Sequence, residues 1–407
     1  MTKTSHKHWI VLAVLCGLAA SSIGISINSS GVFYTPVAEA LGLYRGSFSL
    51  HMTIFSMVTA LSAFFIPKIM EKISYKRILV ISCLIAVAGT ALMALTTHLV
   101  GFYVLGALRG LATSFFSIVP LTLIINQWFV EKHGLATSLV FGFSGLAGSI
   151  CSPILSYVIE QYGWQIGYLV KAVILLVLCL PAMLYPFHTD PTLDGLKPYG
   201  YQEAVEKKTA SSSQGAVLSL AMILFLGFSF LASCLTSLTQ HFPGYGESLG
   251  LSATLSTLLL SAGMVGNIVS KLVMGVLSDW MGALKANVAF LGIIAIGVLF
   301  MLSGSHPILL LAGAFLFGSG YAIGAVGLPL LTKAFFSAER YARIFPYVSF
   351  MSNLGAALSL SLVGYIYDIF GSYFYAFWIG LGMLGLCLIL VLLTYWKNPY
   401  RSEAKSI

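Results

Sequence analysis

The sequence predicts an all-α integral membrane protein: twelve transmembrane helices in two pseudo-symmetric bundles of six. Three observations carry this. Of 407 residues, 58% are apolar and only 8% charged, against roughly 25% charged in soluble domains, so a water-soluble globule is excluded. Apolar runs recur along the chain at the length of about 20 residues that a helical crossing needs. Landmarks of the first half also return in the second at one constant offset.

With proline, glycine and charge clusters as boundaries, the crossings fall near 9–34, 48–70, 76–97, 101–129, 134–159, 164–187, 216–241, 252–275, 286–304, 307–335, 341–367 and 372–396. Lys3, Lys7 and the apolar run to Ala19-Ala20-Ser21 have the outline of a signal peptide. The apolar stretch continues to Tyr34, however, so a retained first helix is expected. The one long polar segment, 188–215, holds Asp190, Pro191, Glu203, Lys207, Lys208 and a Ser211–Ser213 run, which is linker composition. It divides the chain into an N-terminal bundle, 1–187, and a C-terminal bundle, 216–407.

The offset between the halves is 208 residues: Glu39 and Leu41-Gly42-Leu43 match Glu247 and Leu249-Gly250-Leu251, and Tyr157, Glu160 and Gly163 match Tyr365, Asp368 and Gly371. Pro67 and Glu71 match Gly275 and Asp279 in the same way. Six crossings return the chain to its starting side, so the repeats should share one orientation. Parallel repeats of this kind place a substrate site between the halves near the membrane midplane.

Seventeen of the 21 lysines and arginines fall on one side when the N-terminus is placed in the cytoplasm, with Arg45 alone on the other. The positive-inside rule therefore predicts cytoplasmic N- and C-termini in the cytoplasmic membrane. The net charge of +8 is then topology rather than a nucleic-acid face, which would need basic residues clustered on a soluble surface. Cys16, Cys83, Cys151, Cys179, Cys234 and Cys387 all lie in apolar runs and read as buried small hydrophobes, not a disulfide framework or metal ligands. The histidines lack metal-ligand spacing, and no cofactor is expected.

Arg109, Lys171 and Lys271 remain inside helices, and all 13 acids sit in loops or at helix ends. An ionisable group within a membrane costs several kcal/mol unless paired or wet, so each is a functional candidate. Buried cations without buried carboxylates make an electropositive interior that attracts anions. Lys271 lies eight residues before Asp279, about 12 Å along a helix, with Asn267 and Ser270 beside it. Arg109 sits in Gly106-Ala107-Leu108-Arg109-Gly110, whose small residues let another helix approach. Lys171 has apolar neighbours, and snorkelling to the interface is its expected behaviour. Asn28, Tyr321, Asn353 and Ser349 could orient a carboxylate through amides and hydroxyls, although helix-to-helix hydrogen bonding serves equally for each alone.

Other motifs carry no chemistry. Gly246-Glu247-Ser248-Leu249-Gly250 matches GxSxG but lacks the strand-to-helix turn and the His and Asp partners of a nucleophile elbow. Asn28-Ser29-Ser30 matches a glycosylation sequon inside a helix. There is no GxxxxGK[ST], which speaks against ATP coupling.

Over essentially its whole length the chain resembles the major facilitator superfamily. Gly275-Val276-Leu277-Ser278-Asp279-Trp280-Met281-Gly282, then Lys285, is similar to the family's G-x-L-x-D-R-x-G-R-R loop signature. The first copy, around Pro67, Glu71, Ser74 and Arg77, is degraded. The resemblance implies that Asp279, Gly275, Gly282, Glu71 and Arg77 form a conformational latch, and Arg109 matches the arginine of the fourth-helix motif. Asn126-Gln127-Trp128-Phe129, followed by Glu131-Lys132-His133-Gly134-Leu135-Ala136, resembles the oxalate/formate antiporter and monocarboxylate-porter branch. That branch has a substrate-binding arginine at the position of Lys271. Lysine keeps the charge without the bidentate fork. Where oxalate carriers have a second lysine, Ser349 stands, which favours a monoanion. Where proton-coupled porters have an aspartate, Asn267 stands, leaving His51 or Lys271 as groups that could titrate.

The resemblance implies a secondary transporter, not an enzyme, moving a small carboxylate by alternating access, with a counter-anion or proton as possible partner. Lys271, Arg109, Asn28, Tyr321, Asn267, Asn353 and Ser349 are its expected substrate-binding residues. The alternative is a proton-coupled exporter of drugs or other small solutes on the same fold. A monomer surrounded by lipid is expected, with no nucleic-acid partner.

Overall fold

Backbone amides and carbonyls inside a bilayer must be satisfied within their own segment, which makes helices of the apolar runs. The structure, a computed structural model, describes residues 4–62, 65–130, 133–200, 219–304 and 306–397. In the first half the helices are α1 (Thr4–Ala19), α2 (Tyr34–Ala40), α3 (Arg45–Ser62), α4 (Ile66–Lys72), α5 (Tyr75–Leu92), α6 (Leu99–Ser114), α7 (Ile118–Trp128) and α8 (His133–Leu184). In the second they are α9 (Leu220–Ser237), α10 (Phe242–Ser248), α11 (Ala253–Met281), α12 (Ala283–Leu302), α13 (Pro307–Phe317), α14 (Gly320–Ala322), α15 (Leu328–Phe370) and α16 (Phe374–Lys397).

Ten helical runs among the described residues are long and apolar enough to cross a membrane. One of them, within α8, is two helices joined at Gly163, whose φ of 85° breaks the helical path. With the 18-residue α3, this gives the twelve expected crossings. Helix starts follow local chemistry: Ser219 and Ser252 accept the amides of Met222 and Leu255 through their side chains, satisfying donors left over by the first turn.

The repeat is exact in register. Single 3₁₀ turns occupy Ser30–Phe33 and Leu238–His241, followed by the seven-residue helices α2 and α10, each pair displaced by the same 208 residues. The starts of α5 and α6 match those of α12 and α13. Gly42 and Gly250, with φ of 62° and 80°, and Gly163 and Gly371, with φ of 85° and 67°, keep the same spacing. All four turns need the left-handed backbone that glycine alone adopts freely.

The chain divides into two compact units, one of Met1–Leu43 and Leu50–Val205, the other of Tyr44–Ser49 and Glu206–Ile407. In the first, α3 and α6 cross where a Cβ on Gly106 would meet the His51 carbonyl at 2.5 Å and one on Gly110 would strike the Phe55 carbonyl. In the second, a Cβ on Gly318 would strike the Gly263 carbonyl, the same crossing one repeat later. These glycines are the close-packing points expected of small residues in membrane helices.

The predicted linker is not free throughout. Its first part, through Tyr199, docks on the first unit: Tyr199 N–H donates to the Trp128 carbonyl at 2.8 Å and Val130 N–H to the Tyr199 carbonyl at 3.0 Å. Trp128 Nε1 donates to the His188 carbonyl at 3.0 Å. Asp194 Oδ1 lies 3.2 Å from Lys7 Nζ and 2.9 Å from His188 Nδ1. Burial opposes ionisation of Asp194, but the hydrogen bonds from His188 and Lys7 outweigh it and hold this carboxyl below its ordinary value. Residues 201–218 lie outside the described residues.

In the second unit the residues Tyr44–Ser49 lie against the end of α15. Asp368 accepts the amides of Arg45 and Gly46 at 3.0 and 2.7 Å. The Arg45 guanidinium covers the Tyr367 ring at 4.1 Å and donates to Tyr373 Oη at 3.2 Å. Arg45, read from sequence as a loop cation, is therefore buried at 8% exposure. Five of the six cysteines are buried and Cys151 is partly so, all as free thiols.

Candidate functional site

In the second unit, α11 meets the 3₁₀ turn after α9 and the short helix α14. Thr239 abuts α11 at Gly263, its methyl 3.0 Å from where a glycine Cβ would stand. A Cβ on Gly318 would lie 3.0 Å from the Asn267 amide nitrogen, so the glycine at the end of α13 is what lets α14 reach Asn267. Tyr321, on α14, stands beside Thr239 and Gln240.

Asn267 is buried at 3% exposure, and its Oδ1 has no hydrogen-bond partner. Lys271 follows four residues later and is half-buried. Residues so spaced are neighbours on one helix face. Among the described residues Lys271 makes no hydrogen bond or ion pair. Ser270, between them in sequence, is committed to the Asn267 carbonyl at 3.0 Å. A cation and a buried, unspent acceptor therefore stand one turn apart on α11, an arrangement suited to an anion that also carries a donor.

The first unit holds its cations differently. Arg109 is 1% exposed; its Nε donates to Thr90 Oγ1 at 2.9 Å and its Nη1 to Met93 Sδ at 3.2 Å, while Nη2 is buried and unpartnered. Its stem passes Gly89, where a Cβ would stand 2.8 Å from Arg109 Cγ, and its guanidinium lies 5.5 Å from the centre of the Phe55 ring. Lys171 does not snorkel, contrary to expectation: it is 1% exposed, donates to Ser30 Oγ at 2.9 Å and lies 5.1 Å from the Phe33 ring. Apolar neighbours in sequence hid this. The available signal was helical spacing, since Lys171 continues the buried stripe of Trp164, Tyr168 and Leu175.

The other expected site residues are scattered. Asn28 is buried and donates to the Ser144 carbonyl at 3.3 Å. Asn353 is exposed and spends its amide on the Ser349 carbonyl of its own helix at 2.9 Å, and Ser349 is half-buried. His51 is buried between Tyr34 and Phe102, with ring centres 6.4 and 6.2 Å away. Of the proposed latch, Glu71 and Arg77 are exposed and Gly275 is half-buried. Gly282 turns the chain from α11 into α12 with φ 86°. Ser74, its counterpart, has an ordinary φ of −50°, so the degraded first copy makes its turn in another way. The Asp279 side chain lies outside the described residues. Ser248 of the GxSxG match ends α10 and donates to the Tyr245 carbonyl of its own turn at 2.7 Å, as a structural serine does.

Long apolar helices in two register-matched repeats, with Arg109, Lys171 and Lys271 inside them, define a polytopic membrane protein among the described residues. The sequence model of the Major Facilitator Superfamily matches residues 14–302 and 242–406. The chain belongs to that superfamily.

Among its relatives, it is 24% identical over 355 residues to Monocarboxylate transporter 12 of Xenopus laevis, covering 81% of this chain and 77% of the relative. It is 23% identical over 378 residues to the oxalate:formate antiporter of Oxalobacter formigenes, covering 86% and 84%. The MFS-type transporter pynF of Aspergillus niger is 26% identical over 231 residues, 56% of this chain. The chain spans about half the length of pynF and of YcxA of Bacillus subtilis. The crystal structure of a mutant of the nucleoside transporter NupG superposes with a TM-score of 0.71 at 15% identity, covering 95% of this chain and 98% of that one, a likeness of fold.

Proposed function

We propose that this transporter moves a small organic carboxylate, preferentially a monocarboxylate, across the cytoplasmic membrane by alternating access. The observation that carries the reading is Lys271: a half-buried cation on a membrane helix, without an acidic partner among the described residues, which a substrate carboxylate would complement. The names of the oxalate:formate antiporter and of the monocarboxylate transporters support the same class. Lys271 is the principal charge contact, with Asn267 and Tyr321 orienting the substrate. Arg109, taken up by Thr90 and Met93, is assigned coupling rather than contact. Asn28, already bonded to Ser144, shapes the first helix, and Asn353 and Ser349 are secondary candidates. Asp279, Gly275 and Gly282, with Glu71 and Arg77, act as the latch. His51 is the candidate proton site if the coupling ion is a proton; a second carboxylate moving the other way is the alternative coupling.

The test is uptake of labelled mono- and dicarboxylates by proteoliposomes, with and without a pH gradient, for the parent and Lys271→Gln. Losing a desolvated charge contact should weaken carboxylate affinity by about 2–5 kcal/mol, upward of roughly thirtyfold. Unchanged affinity for every accepted carboxylate would sink the reading.

A further inference from the structure

The turn after the second crossing departs from its repeat in charge. Lys68, Lys72, Lys76 and Arg77 fall within ten residues, whereas the positions 208 residues later hold Val276, Trp280, Leu284 and Lys285. Topology asks for positive charge on this side, and Arg77 with its counterpart Lys285 supplies it in both repeats; the three lysines are additional. Val276 and Trp280, at the end of a membrane-length apolar helix, are 70% and 80% exposed. Apolar side chains so exposed face lipid, and tryptophan gathers at the level of the headgroups. Register therefore sets Lys68 and Lys72 at the lipid boundary of the first unit. Lys76 is used by the fold itself, its Nζ donating to the Ala182 and Tyr185 carbonyls at 2.7 and 2.6 Å. Lys68, Lys72 and Arg77 are exposed and form no ion pair among the described residues, and Glu71 is the one acid in the stretch 66–77. Arg77 also begins an outward stripe of α5, because Ile81 and Leu84 follow it at helical spacing and are exposed as well.

We propose that this surface of the first unit binds an anionic phospholipid: Lys68, Lys72 and Arg77 hold the phosphate and the negative headgroup, and the acyl chains lie along Ile81 and Leu84. Basic clusters immediately beside a membrane helix attract anionic lipid, each cation adding about fivefold in affinity. The long side chains keep their charge at the interface while their stems stay on apolar surface. The apolar stripe that continues from Arg77 into the membrane selects a lipid over an acidic protein segment or a free phosphate, neither of which has chains to cover it. The second unit, with Val276 and Trp280 at the matching positions, has no such site.

The experiment titrates the full chain in neutral detergent with phosphatidylglycerol or phosphatidylcholine of the same acyl chains and reads bound lipid by native mass spectrometry. The parent should bind its first phosphatidylglycerol at least about tenfold more tightly than phosphatidylcholine. The triple variant Lys68→Gln, Lys72→Gln, Arg77→Gln should lose most of that preference, and Lys285→Gln should keep it. A second measurement needs only the parent: phosphatidylglycerol vesicles, compared with phosphatidylcholine ones, should slow acetylation of Lys68 and Lys72 by a water-soluble reagent more than that of the exposed Lys285. Equal binding of the two lipids by the parent, a preference retained in the triple variant, or protection no greater at Lys68 and Lys72 than at Lys285 would overturn the assignment. Displacement of the lipid by millimolar inorganic phosphate or by a polyglutamate peptide would overturn it too, because charge alone would then account for the binding.

Discussion

The two repeats use one packing slot for opposite chemistries. In the first unit Gly89 makes room for the stem of Arg109, which bonds Thr90 and Met93. At the same offset in the second unit, a Cβ on Gly297 would lie 2.8 Å from the Phe317 amide nitrogen, and Phe317, Val298 and Met301 belong to one buried apolar core. Arginine, threonine and methionine on one side thus answer phenylalanine, valine and methionine on the other. The scaffold folds around an apolar residue at this slot, so the buried guanidinium is not what the fold demands. It is an addition, and its cost of several kcal/mol in the membrane points to a task outside folding.

The comparison breaks most severely at the glycine crossings both units share. Gly110→Val or Gly318→Val drives a side chain into a neighbouring backbone carbonyl, which no rotamer relieves. Either should cost upward of about 3 kcal/mol and be read as lost folded yield and a lowered unfolding temperature in detergent. Two well-behaved variants would mean that the crossings are looser than they stand.

A swap sharpens the slot itself. Arg109→Ala should destabilise by about 2–4 kcal/mol through the cavity it leaves. Arg109→Phe with Thr90→Val, which copies the second unit into the first, should stay within about 1 kcal/mol of the parent, because a buried charge replaced by good apolar packing is often neutral. Thermal unfolding measures both. Transport should fall in the double variant although it folds; a double variant less stable than Arg109→Ala would refute the equivalence of the slots.

Lys171 and Lys271 separate in the same spirit. Lys171→Met leaves Ser30 still donating to the Ser26 carbonyl and keeps a long chain beside Phe33, so a change of about 1 kcal/mol or less is expected, with carboxylate affinity preserved. Lys271→Gln should do the reverse, lowering affinity at constant unfolding temperature.

The smallest effect lies at the docked start of the linker. The carboxyl of Asp194 is held below its ordinary value, so its contribution is present above the unfolded value of about 3.9 and is lost only as pH falls through the lower folded value. Protection from hydrogen exchange at 188–200, taken relative to the intrinsic rate at each pH, should be high at neutral pH and fall in strong acid, and Asp194→Asn should lower it modestly at pH 7. Identical protection in parent and variant would show that Trp128 and Tyr199 hold this segment alone.

Much of the fold was legible because hydropathy and the repeat are written in one-dimensional order: twelve runs, a polar break and an offset that the 3₁₀ turns and helix starts reproduce. Lys271 and Asn267 were legible as neighbours because four residues of helix place them so. What could not be read was which way a side chain turns within a bundle. Lys171 turns inward to Ser30, 141 residues away, and the Arg45 guanidinium finds Tyr373, 328 residues away. Apolar neighbours or loop position say nothing of such partners. Likewise, 188–200 has linker composition, yet Trp128 and Tyr199 give it a docking place that composition does not encode.

The glycine crossings carry a consequence for how this sequence can change. If every position were scored for tolerance to substitution and the profile compared with a copy of itself slid along the chain, a peak should rise at a lag of 208, built from Gly42 with Gly250, Gly89 with Gly297, Gly110 with Gly318 and Gly163 with Gly371. Arg109, Lys171 and Lys271 should contribute nothing to that peak, their counterparts being Phe317, Ile379 and Ala63. The architecture would then show as the self-similar part of the profile, and the chemistry as what fails to echo.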